Sequence, residues 1–159
     1  MENEILFKNV SLDCLADALA DAAIDFDRAY DDCLYVTVSD IPVFWTIEPN
    51  HDALVFWTFL EALEDADEDQ CVRFTNECNL DFNMVQFSYN ITRCKFYGHH
   101  VMITKEGLNR KQMIRTGRRF GSIFAKAAAI GVSKGLLQPL DSDDAPPFEV
   151  EQRGECAIN

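Results

Sequence analysis

The stretch "VFWTIEPNHDALVFWTF", Val43 to Phe59, limits what this chain can fold into more than any other. Two strand-like runs flank "PNHD", a turn composition, so the stretch reads as a β-hairpin. Side chains alternate between the two faces of a strand. In the simplest register one face carries Val43, Trp45, Ile47, Leu54 and Phe56, and the other carries Phe44, Val55, Trp57 and Phe59. Both faces are apolar, whereas a sheet with one wet side alternates apolar with polar residues. One face is expected to meet helices. The second needs cover from the chain's own elements, a twin subunit or a segment of another protein.

The helices are legible on either side of the hairpin. Ser11 is placed to cap a first helix, with Val10 and Leu15 as a hydrophobic staple. Leu12, Leu15, Ala16, Leu19 and Ala23 then recur at helical spacing, and Asp13, Asp17 and Asp21 form an acidic stripe. Asp67 and Gln70 open a second helix whose Cys71, Phe74 and Cys78 share a face. Asn109 and Gln112 open a third, ending near Gly131. On it Met113, Ile114, Gly117, Phe120, Gly121, Phe124 and Ala128 occupy one arc, opposite Lys111, Arg115, Arg118, Arg119 and Lys126.

Strand character precedes the hairpin in "CLYVTV" and follows the second helix in "MVQFSY" and "RCKFYGHHVMIT". The order helix, three strands, helix, two strands, helix gives an α+β class. It predicts an antiparallel sheet of about five strands with three packed helices. A chain of 159 residues without internal repeats suits one domain, over residues 1–140. Residues 141–159, acidic and poor in apolar groups, are expected to be a disordered tail.

Charge narrows the partners. Residues 1–91 hold 20 acids against 3 bases, residues 92–134 hold 10 bases against 1 acid, and residues 135–159 hold 6 acids against 1 base. The net charge of −13 disfavours general nucleic-acid or anionic-membrane binding. The basic third helix remains a candidate for docking to an acidic surface, such as the aspartate stripe of a neighbouring subunit. No run approaches the roughly 18 apolar residues of a membrane span. The N-terminus "MENEILFKNV" is acidic and has no long apolar core, which predicts a cytoplasmic chain. Six cysteines (Cys14, Cys33, Cys71, Cys78, Cys94 and Cys156) show no CxxC pairing and are expected to be free thiols.

The residues that look most like chemistry are His99 and His100. Adjacent strand residues point to opposite faces, so the two cannot share one metal. The apolar positions run Cys94, Phe96, then Val101, Ile103, an odd step that calls for a bulge at Gly98-His99. Asp65, Asp67 and Asp69 have the spacing that opens an EF-hand loop, but Gln70 stands where that loop needs glycine and Asn76 where it needs glutamate. No nucleophile elbow, P-loop or dinucleotide fingerprint occurs, and no carboxylate pair is singled out. The expectation is no catalytic residue, no metal and no cofactor.

The first helix "SLDCLADALADAAIDF", the hairpin, the asparagine-bearing "RFTNECNLDFN" (Asn76, Asn79, Asn83) and "KEGLNRKQM" together resemble the YbjN family, candidate bacterial sensory-transduction regulators. That family is similar in fold to type III secretion chaperones. The resemblance covers roughly residues 5–130; the basic third helix, the Gly98-His99-His100 stretch and the acidic tail depart from it. It implies a non-enzymatic module, often dimeric, that acts by protein contact.

The combined expectation is a cytoplasmic protein-binding or chaperone-like regulator that works through an apolar sheet face and charged helices. Phe44, Val55, Trp57, Phe59, Arg115, Arg118 and Arg119 are the candidate partner-binding residues, and a homodimer is the simplest association. The alternative is a small-ligand or metal-dependent enzyme using His99 or His100. Nucleic-acid binding through the basic helix ranks below both.

Overall fold

A computed structural model describes residues 6–7, 10–48 and 52–139. The acidic segment expected to form a tail, 141–159, lies outside the described residues, as does the centre of the "PNHD" turn. In chain order the elements are β1 (Leu6–Phe7), α1 (Leu12–Asp21), β2 (Asp27–Tyr30), β3 (Cys33–Val38), β4 (Ile41–Glu48) and β5 (Ala53–Glu61). Then come α2 (Glu68–Asp81), β6 (Gln86–Asn90), β7 (Lys95–Ile103), β8 (Leu108–Asn109) and α3 (Arg110–Ser133). The main sheet is antiparallel with six strands in the order β2-β3-β4-β5-β7-β6. It has one strand more than expected, because β2 forms a short edge. A separate pair joins β1 to β8.

Each helix begins where its cap allows. Ser11, Asp67 and Asn109 accept from the backbone N–H groups of Cys14, Gln70 and Gln112 at 3.2, 2.8 and 2.9 Å, each satisfying one donor that a helix start leaves free. At the far end of α3, Gly135 takes φ +70 and the N–H of Leu136 bonds to the carbonyl of Gly131 at 3.0 Å, a glycine-dependent helix stop. The chain then returns to the sheet. Leu137 bridges to Ala62, and the N–H of Gln138 donates to the Glu61 carbonyl at 2.9 Å.

The hairpin has the register that sequence alone implies, with Phe44 opposite Trp57 and Trp45 opposite Phe56. All three helices lie on the Trp45 side. The core there gathers Leu15 and Leu19 of α1, Phe74 and Cys78 of α2, and Met113, Phe120 and Phe124 of α3 around Leu34, Val43, Trp45, Leu54, Phe56 and Phe96. Glycines let α3 approach closely. A Cβ on Gly117 would overlap Trp45 Cζ2 and lie 2.8 Å from its Cη2, and one on Gly121 would lie 2.7 Å from Val38 Cβ. Arg110, at the start of α3, pairs with Asp21 at 2.7 Å and donates to the carbonyls of Asp17 and Ala18. It thereby ties the start of α3 to the last turns of α1.

The expected bulge at Gly98-His99 does not form. Pairing of β7 with β5 is regular from Lys95 opposite Glu61 to Ile103 opposite Ala53. Phe96, Gly98, His100 and Met102 therefore share one face, and Tyr97, His99, Val101 and Ile103 the other. The glycine answers to packing instead: a Cβ at Gly98 would stand 2.5 Å from Phe124 Cδ2. Val101 and Ile103, expected to point inward, are 43% and 66% exposed.

Candidate protein-interaction surface

The face of the sheet turned away from the helices carries an aromatic ladder. Tyr35 of β3, Phe44 of β4, Trp57 and Phe59 of β5 and Tyr97 of β7 follow one another with ring centroids 6.1, 4.3, 6.5 and 5.5 Å apart. Phe44 and Trp57 stack at an interplanar angle of 19°, within the offset-stacked range that aromatic pairs favour. Alternation in four strands produces this arrangement, since only positions of one parity reach this face.

Polar groups on the face serve the rings. The indole N–H of Trp57 donates to Thr46 Oγ1 at 2.8 Å, and that hydroxyl lies 3.3 Å from Cys33 Sγ. The Lys95 ammonium lies 4.4 Å above the Phe59 ring and 3.7 Å from Glu61, a cation–π placement. His99 is half-buried between Trp57 and Gln86 on the neighbouring strands. Burial, and then the charge of His100, push its pKa below 6.5, because desolvation disfavours the charged imidazolium. Val55 lies beneath this surface, and Val101 and Ile103 extend it toward the open end of β7.

The structure brings together four of the seven expected contact residues: Phe44, Val55, Trp57 and Phe59. Arg115, Arg118 and Arg119 are exposed but lie elsewhere. They occupy the outward arc of α3, whose inward arc packs on the opposite face of the sheet. Tyr35, Tyr97, Val101 and Ile103 belong to the apolar surface and were not expected there. The signal that finds them is strict alternation counted outward from Phe96 and Phe44, once the bulge is set aside.

The histidines do not converge. His99 faces outward with the ladder, and His100 faces inward, 6.3 Å from the Phe56 ring. His100 Nδ1–H donates to the Met84 carbonyl at 2.7 Å, holding the turn before β6, where Met84 takes φ +82. Among the described residues no three His, Cys, Asp or Glu side chains come together as metal ligands. Asp67, the middle acid of the EF-hand-like spacing, serves as the cap of α2. A broad-mouthed hollow of about 280 Å³ near the sheet edge is lined by Ile24, Asp25, Phe26, Asp27, Tyr35 and Thr37. Hydrogen bonding to Asp27, followed by burial, raises the Tyr35 phenol above its usual pKa of 10.0. No described helix is long and apolar enough to cross a membrane.

No protein-family model and no curated protein matches the sequence. Solved structures do match the fold. YbjN from E. coli, a candidate transcription regulator, superposes with a TM-score of 0.71 at 15% identity, over 85% of this chain and 100% of that one. A chain of the HopA1–SchA chaperone–effector complex gives a TM-score of 0.49 at 11% identity, over 72% of this chain and 88% of its own. The chain therefore shares its fold with YbjN.

Proposed function

We propose that the protein is a non-enzymatic, cytoplasmic regulator of chaperone-like type, which takes an extended apolar segment of another protein on the aromatic face of its sheet. The observation that carries this reading is the ladder itself. Rings from four strands are gathered on the side of the sheet that no described helix crosses. Contact surfaces are enriched in aromatic residues at their centres. Burying a ring of this size is worth roughly 2 kcal/mol before association costs are subtracted. The YbjN-like fold is compatible with a regulatory role. A second copy of the chain offers the same chemistry, so a homodimer through this face belongs to the same proposal.

The engagement of His100 with the Met84 carbonyl and the placement of the two histidines on opposite faces weigh against the alternative of an enzyme using them together. The exposed arginines of α3 form a separate surface, suited to an acidic partner.

The test uses an unfolded, reduced and carboxymethylated protein as the probe segment donor, with mass measured at several concentrations of the chain alone. Wild type is expected to bind the probe or to self-associate. Trp57→Glu and Phe59→Glu should weaken either association at least tenfold, about 1.4 kcal/mol, while the far-ultraviolet spectrum stays folded. Association that survives both variants unchanged would remove the face from the mechanism.

A further inference from the structure

Burial on the aromatic face is deeper than its own strands can explain. Phe44 is 1% exposed, and Val55 is buried too, yet neither belongs to the core beneath the helices. Trp57 and Tyr35 flank Phe44. Flanking rings shield the sides of a residue standing up from a sheet and leave its outward edge to whatever lies above. His99 on the same face is half-buried as well, and that burial lowers its pKa.

The chain leaves the described fold at a place that suits a covering segment. Gln138 and Leu137 are bonded to Glu61 and Ala62, at the end of β5 next to Phe59. Twenty residues follow Pro139, and Phe148 is nine residues beyond it. Nine residues reach as far as about 30 Å, whereas Trp57 is four residues back along β5 from Glu61, about 13 Å at strand spacing. Pro146 and Pro147 immediately precede Phe148. Consecutive prolines favour an extended backbone and lower the entropy cost of laying a segment across a sheet. Glu149 and Glu151 follow, which complements Lys95, a cation on this face.

We propose that the segment Ala145–Val150, "APPFEV", covers the aromatic face of its own chain, with Phe148 against Phe44, Trp57 and Phe59. The composition predicts no independent structure for this segment, so the contact is weak and exchangeable. It makes the segment an internal competitor that a client or a second copy has to displace. That competition rests on the binding function proposed above; the contact within the chain does not.

The test compares the full chain, a chain ending at Leu140, and full-length Phe148→Ser, without any client and at dilutions where each is weighed by sedimentation. Acrylamide quenching of tryptophan fluorescence is the readout. Fully buried Trp45 supplies the shielded background, and Trp57 the signal. Both changes should roughly double the quenching constant, since one of two tryptophans passes from shielded to open. Adding a peptide of residues 141–159 to the shortened chain should restore shielding, and the same peptide with the Phe148→Ser change should not. A shortened chain that turns from monomer to dimer also supports the proposal. Unchanged quenching and mass in both variants would overturn it, as would a full-length dimer whose Trp57 stays shielded regardless of Phe148. Phe148→Ser keeps the test valid if the shortened chain unfolds. Quenching that responds while the unfolded probe never binds would leave the internal contact standing and sink the binding function; the reverse pattern would do the opposite.

Discussion

The side-chain amide of Asn79 pairs with both backbone groups of Phe87: its Nδ2–H donates to the Phe87 carbonyl at 3.0 Å, and its Oδ1 accepts from the Phe87 N–H at 2.8 Å. Phe87 lies on β6, the outer strand of the sheet. An edge strand presents unpaired N–H and C=O groups to any passing strand. Asn79 imitates one residue of a missing neighbour and closes the edge at Phe87.

Asn79→Ala leaves both groups unpaired by protein. The expected loss is about 1–2 kcal/mol, two modest hydrogen bonds, seen as a lower urea midpoint. Amide exchange at Phe87 should quicken more than at Phe96 on the inner strand. Equal protection at Phe87 in variant and wild type would show that the amide pair is dispensable.

Gly117→Ala tests how α3 meets the sheet. Alanine gains about 1 kcal/mol of intrinsic helix stability over glycine, but its methyl would overlap the Trp45 ring, which is fully buried and cannot withdraw. Overpacking of this kind costs about 1–3 kcal/mol. Thermal unfolding should show a net loss despite the helix gain. A rise in melting temperature would mean that α3 lies farther from Trp45.

The pH dependence of His99 has a definite sign. Its folded pKa lies below 6.5, so the unfolded chain takes up the proton first as pH falls. Its contribution to stability is whole above about pH 6.5 and diminishes as pH drops through the window down to the folded value. Urea midpoints of wild type and His99→Gln, compared between about pH 7.5 and 5.5, should differ in slope below 6.5. Parallel curves would assign the titration elsewhere.

The thiols should sort by burial. Cys94 is exposed, whereas Cys33, Cys71 and Cys78 are buried. Burial, followed by the charges of Asp81 and Glu77, pushes Cys78 up to about 12, and burial likewise raises Cys71. Only thiolates alkylate at useful rates. In a Cys156→Ser background, Cys94 and partly buried Cys14 should label in the native protein, with Cys33, Cys71 and Cys78 reacting only on unfolding. Fast labelling of Cys78 in the folded state would contradict its burial.

Much of this fold can be read from local signals. Helix caps at Ser11, Asp67 and Asn109 and the parity of the hairpin each depend on residues close together in the chain. Gly98 shows where such reading fails: its reason is the Phe124 ring, 26 positions later, and nothing local separates close packing from a bulge. Reading it as a bulge turns Val101 and Ile103 inward and removes them from the apolar surface. The edge strand "DRAY" lacks a buried face, so no alternation marks it, and the β1–β8 pair is two residues long. Phe44, Val55, Trp57 and Phe59 were identifiable because they are crowded on one hairpin. Tyr35 and Tyr97 join them only through register across strands. The arginines of α3 are legible in the sequence as one arc of a helix, but their distance from the ladder depends on how the helix is rotated against the sheet.

The opposite edge is closed by other means. β2 has four residues, and its pairing with β3 slips between Arg28 and Tyr30. With Asn79 occupying β6 at Phe87 on the far side, both edges of the described sheet interrupt the run of groups on which a foreign strand could be templated. Growth by strand addition, the route to open-ended fibres, is disfavoured at both edges. Association through the aromatic face, as proposed above, would be broadside, and a face of that kind can be occupied only once. Its complexes should therefore be small and of fixed composition, and crowding should saturate them without extending them.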